Sequence, residues 1–198
     1  LCLRAGIRED WIDVSGLAGA CDGFVINALE APRTSITGLA RHFGFDAVES
    51  EGVIRFIIRG RAPVAVASPD DMVGFSGDGE VMDLTRGQET ELPQALKWQV
   101  ARADEDYDTL TVEARRITVE AGRVASDSLA VAVPPEEADR RCRRALMEAW
   151  TGRETGAFRL PPSRLALDPG DVVHLDHDGR LVEMRILSIA DAEARAIE

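Results

Sequence analysis

The stretch DPGDVVHLDHDG, Asp168 to Gly179, sets His174 and His177 beside Asp176 and Asp178. Imidazole and carboxylate together are ligands for a divalent metal, and they are also a pair used for proton transfer. Two further runs raise similar questions. GFSGD, Gly74 to Asp78, approaches the G-x-S-x-G nucleophile elbow, with Ser76 as the nucleophile and Asp78 where the second glycine belongs. DEDYD puts Asp104, Asp106 and Asp108 at alternate positions, as at the start of a calcium loop. Cys2, Cys21 and Cys142 are too few and too irregularly spaced for a zinc site or a disulfide framework. They are expected to be buried or incidental thiols.

The elements that must position these residues count against each chemistry. Asp178-Gly179 is a strong two-residue hairpin turn, because both central positions take positive φ. That register pairs His177 with Arg180, Asp176 with Leu181, Leu175 with Val182, His174 with Glu183 and Val173 with Met184. Side chains alternate along a strand, so His174 and His177 point to opposite faces and cannot share one ion. Val173, Leu175, Val182, Met184 and Ile186 then form an apolar stripe, with His174, Asp176, Glu183 and Arg185 on its polar back. An elbow serine needs a strand leading sharply into a helix, whereas Gly77 and Gly79 mark a loop around Ser76. A calcium loop starting at Asp104 needs Gly at its sixth position and Glu at its twelfth, where this chain has Thr109 and Arg115. No phosphate loop or complete G-x-G-x-x-G occurs. No catalytic, cofactor-binding or metal-binding residue is therefore assigned, and no enzymatic activity is expected.

The wider pattern is α+β. GFVINAL reads as a strand. APRTSITGLARHFGF reads as a helix, with Pro32 in its first turn, Ile36, Leu39, Ala40 and Phe43 on one face, and Gly44 as a left-handed stop. FDAVES and VIRFIIR read as a hairpin around Glu51-Gly52. Together these make a small β-α-β-β unit within residues 1–62. Residues 63–198 read as a strand-rich, barrel-like antiparallel domain with one long helix at 134–150. In ALKWQVA, Leu96, Trp98 and Val100 alternate with polar residues, and TLTVEARRITVE and GRVASDSLAVAV are further strands, the first with some helical character. The long helix opens with two prolines and two glutamates and stops at Gly152. Ala138, Cys142, Ala145, Leu146, Ala149 and Trp150 line its apolar face. Its run Arg140, Arg141, Arg143 and Arg144 is expected to be a solvated face, with i,i+4 pairs Glu136–Arg140 and Glu137–Arg141. The core is expected to include Phe24, Ile26, Leu39, Phe43, Ile54, Phe56, Trp98, Leu146, Trp150, Val173 and Met184.

The 198 residues carry 23 basic against 35 acidic side chains, a net charge of −12. Nucleic-acid affinity is largely cation-driven, so direct nucleic-acid binding is not expected. No apolar run approaches the length of a membrane span, and no signal-peptide pattern opens the chain. LCLRAG reads as the end of a helix stopped at Gly6, so an excerpt from a longer polypeptide is expected.

Several phrases carry a resemblance. GFVINALEAPRTSITGLARHFGFDAVESEGVIRFIIR, TRGQETELPQALKWQV, DEDYDTLTVEARR and AFRLPPSRLALDPGDVV resemble the C-terminal half of the large tail proteins of gene transfer agents and related siphophages. The resemblance runs from about Leu1 to Ile189. It implies a phage tail-hub-like fold, with barrel-like ring domains and an inserted α+β domain. It also implies a structural role in the baseplate hub, contacts with other tail and baseplate proteins, and a homotrimer in the full-length chain. It further implies a place at the tail tip of a virion or phage-like particle, made in the bacterial cytoplasm. The family's glycoside-hydrolase-like TIM-barrel region is not matched here, because no series of strand–helix repeats occurs. In a tail channel, acidic walls would let DNA slide without sticking. Trp11, in a loop among charged residues, is a candidate anchor for a neighbouring chain. The competing expectation is a carbohydrate- or receptor-binding module at the tail tip, which ten aromatic residues, mostly at core positions, support poorly.

Overall fold

The computed structural model describes residues 1–26, 30–74, 81–117, 122–177, 179–192 and 194–198. Two short strands, β1 (Ile12–Asp13) and β2 (Gly23–Phe24), precede helix α1 (Pro32–Phe43). The hairpin β3 (Phe45–Ser50) and β4 (Val53–Ile58) follows, then β5 (Ala65–Ala67) and β6 (Met82–Arg86). Strands β7 (Ala95–Ala101), β8 (Thr109–Arg115) and β9 (Val124–Ala132) lead into helix α2 (Pro135–Thr151). The chain ends with β10 (Glu154–Leu160), β11 (Val172–His177), β12 (Arg180–Arg185), β13 (Ile189–Asp191) and β14 (Arg195–Ile197).

Local chemistry accounts for the boundaries. Proline occupies the first turn of both helices, where its missing N–H costs nothing. Gly44 ends α1 at φ 68° and donates its N–H to the Ala40 carbonyl. The left-handed φ is what calls for glycine at Gly44, and the Arg144 guanidinium packs over the space a side chain would take. The β3–β4 turn takes φ 54° at Glu51 and 77° at Gly52, the primed geometry that matches strand twist.

The strands divide among four small sheets, in the orders β1-β4-β3, β2-β9-β7-β8, β13-β14-β10-β6 and β12-β11-β5. Against the expectation of a barrel-like antiparallel domain, these described strands form no closed barrel, and β7–β9 and β5–β11 pair in parallel. Parallel neighbours need a long crossover, and the chain between β5 and β11 supplies one by building a complete further layer. The β-α-β-β order near the start is also shared out. Gly23 and Phe24 hydrogen-bond to Ala132 and Val131 of β9, and β1 takes the place beside β4. Phe24 is thereby packed against the apolar cluster of that other sheet. The segment read with helical character is a strand through Arg115, and Thr118 to Glu120 lie outside the described residues.

Two cores result. The first packs Ala138, Cys142 and Leu146 of α2 onto Trp98, Val112 and Val131 of the β7–β8–β9 layer. The second gathers Phe158, Leu160, Val173, Leu175, Ile186 and Ile197 between the two C-terminal sheets. Full burial of one such aliphatic side chain stabilises by about 1.5–3 kcal/mol. Most expected core residues are buried or half-buried, but Ile26 is 41% exposed.

The excursion that carries the first core starts and ends at one place. Strand β10 returns beside β6, with Glu154 opposite Arg86. Just beyond, the Gly87 N–H donates to the Arg153 carbonyl at 2.8 Å, and Arg153 pairs with Glu89 at 2.5 Å.

Candidate functional site

The hairpin carrying two of the three histidines folds in the expected register, from Val172 opposite Arg185 to His177 opposite Arg180. Val173, Leu175 and Ile186 are buried, with Met184 packed against them. His174 lies opposite Glu183 on the other face. Asp178 lies outside the described residues, as does Ser76 with residues 75–80. In the acidic turn, Arg102 holds Asp104 at 2.8 Å, and Asp106 and Tyr107 take φ 46° and 60°. Among the described residues no three His, Cys, Asp or Glu side chains gather as a metal site would require. The three cysteines are free thiols. Cys142 is buried, donates to the Leu96 carbonyl at 3.3 Å, and has its thiol pKa pushed up by that burial.

The arginine run follows its expectation in part: Arg140 and Arg143 are solvated and Arg141 pairs with Glu137, while the rest differs. Arg140 pairs with Glu137 rather than Glu136, and Arg143 pairs with Asp139. Arg141 is only 5% exposed. Its guanidinium lies 4.3 Å from the Phe43 ring centroid and pairs with Glu137. A planar cation that stacks on an aromatic face and keeps a carboxylate partner can be buried, so this face of α2 is an internal junction.

The residue at that junction is the third histidine. His42, in the last turn of α1, is fully buried, and neither ring nitrogen has a hydrogen-bond partner. It meets Phe43 edge-on at 4.9 Å and the tilted Trp98 ring at 6.0 Å. Burial first, and then Arg141, push its pKa down from 6.5 to about 4. Spacing held the clue. Ser35, Leu39 and His42 recur at i, i+4 and i+7, and Ser35 and His42 are the buried positions of α1. The apolar face expected at Ile36, Leu39 and Phe43 is only half-buried and lines a cleft of about 590 Å³ together with Cys2, Cys21 and Phe56.

A charged network ties the junction to both cores. Asp46 of β3 accepts hydrogen bonds from Arg59 Nη2 at 2.7 Å and from Arg59 Nε at 3.0 and 3.2 Å, and also pairs with Arg185 of β12. Arg59 reaches Glu148 of α2 at 3.1 Å, and Glu148 holds Arg144 at 3.2 Å. The Asp46 hydrogen bonds raise the Arg59 pKa, while burial lowers that of Arg144. On the outside, Trp11 is 51% exposed with the Arg8 guanidinium 5.4 Å from its ring. Leu3 and Val14 are exposed beside the cleft.

These layers recur in solved tail proteins, one of them from a prophage. Their arrangement matches a tail protein from Neisseria meningitidis MC58 (TM-score 0.63, 13% identity, 96% of this chain and 62% of that one). It likewise matches the 43 kDa tail protein of prophage MuSo2 from Shewanella oneidensis (TM-score 0.59, 14% identity, 99% and 58%). At those identities the likeness shows the fold. A chain in the virion of a native gene transfer agent particle is much nearer, at 32% identity and TM-score 0.91, over 99% of this chain and 44% of that one. The family model described as "putative phage tail protein" matches residues 31–189, and the chain belongs to that family. It is a structural component of a phage-like tail. No curated protein sequence matches it. The chain spans less than half the length of its gene-transfer-agent relative. Among the described residues no helix is long and apolar enough to cross a membrane.

Proposed function

We propose that this chain is a non-enzymatic assembly module of the baseplate hub. It acts by shape and protein–protein contact around the tail channel, within a longer protein that trimerises. The observation that carries the reading is the 32% identity with a gene-transfer-agent virion chain, sustained over 99% of this sequence at TM-score 0.91. Exposed Trp11, Leu3 and Val14 supply the kind of apolar surface that a neighbouring tail protein covers. The test is an epitope tag after Glu198 in the full-length protein, located by gold labelling of intact particles. The expected result is label at the tail tip. Label on the head, or complete particles without the protein, would refute the reading.

A further inference from the structure

We infer that His42 is an acid-operated latch: protonation of its ring releases α1 from α2 while the β-sheet core near the C-terminus stays folded. The ring is sealed between α1, α2 and β7, and both nitrogens lack a partner within the protein. A neutral imidazole is tolerated there beside Trp98 and Phe43. An imidazolium is not, because a buried charge without a partner is strongly disfavoured.

The surrounding charges make the penalty larger. From α2, Arg141, Arg144 and Arg140 act on the ring as like charges. The opposing carboxylate from α2, Glu137, is already shared by Arg140 and Arg141. The neighbour from β7 is the uncharged Trp98 ring. Arg41, the preceding residue in α1, is committed to Asp127 of β9. The Arg144 guanidinium also donates to the His42 carbonyl at 3.4 Å, so ring and backbone leave the junction together. Gly19 lies against Phe43 and Arg141, which couples the N-terminal segment to the same contact.

The sign follows from linkage. A histidine held near 4 when packed and near 6.5 when released binds its proton preferentially in the released state. The closed junction is therefore fully stable above about pH 6.5 and weakens as pH falls towards 4. Between pH 7 and pH 5 the opening equilibrium should rise about twentyfold. The experiment is amide hydrogen exchange on the 198-residue chain at both pH values, corrected for intrinsic rates. The expected result is a loss of protection of that size at Leu39 to Gly44, with the β11 and β12 amides unchanged. His42→Phe, which cannot take up a proton, should make α1 insensitive to pH. Three results would each overturn the latch: α1 equally protected at both pH values, β11 and β12 opening in step with α1, or an unchanged pH response in His42→Phe. If that variant does not fold at pH 7, the NMR titration of the wild-type His42 ring decides. Protonation in step with α1 opening supports the latch, and protonation near 6.5 with α1 still protected ends it.

Discussion

Arg195 and His42 are both buried in this protein, under opposite terms. Arg195 is 6% exposed and well partnered: Nε donates to Asp191 at 2.6 Å, and Nη1 donates to the Arg164 and Leu167 carbonyls at 2.7 and 3.1 Å. His42 is more deeply buried and has no such partner. Removing a donor that satisfies buried acceptors costs about 1–3 kcal/mol, so Arg195→Met should lose that much in urea denaturation at pH 7. His174→Ala, on the polar back of its hairpin, should stay within about 0.5 kcal/mol of the parent in the same measurement. Clustering made His174 and His177 legible, and hairpin register sets them on opposite faces. His42 stands alone in the sequence, and its burial depends on α2, which arrives about a hundred residues later.

At the scale of elements, local rules read well. Both helices and the β3–β4, β7–β8 and β11–β12 pairs lie where proline, glycine and apolar alternation put them. What local rules miss is which strand each element joins. Nothing near Gly23 reveals that β2 will hydrogen-bond to β9, because that choice is made by Phe24 reaching the α2 core. Parallel pairs such as β5–β11 leave no turn between them to be read. The β3–β4 turn offers a test at this scale. Glu51 holds φ 54° without the short polar side chain that such turns prefer, and its ion pair with Arg55 is largely exposed. Glu51→Asn should raise stability by about 0.5–1 kcal/mol, seen as a higher urea midpoint at unchanged slope.

The whole molecule carries −12 and spreads it over a surface where many arginines are already paired with carboxylates. Fluorescence anisotropy with a duplex DNA probe at 150 mM salt should show no binding at micromolar protein. Binding that strengthens as salt is lowered would mean that a local basic surface outweighs the total. A last consequence comes from the excursion closed by Gly87 and Arg153. A ribosome delivers the chain in order, and domains fold as they emerge. Every member of the first core is present once Trp150 has been made, whereas the second core waits for Ile197. Strand β6 must therefore stand with a bare edge through the synthesis of some seventy residues before β10 exists to cover it, and β5 through about a hundred before β11 does. One is three residues long and the other reads MDLTR, with a charge of each sign. Brevity and charge are what keep a waiting edge from finding the wrong neighbour, so these two strands are written for the interval before the fold as much as for the fold itself.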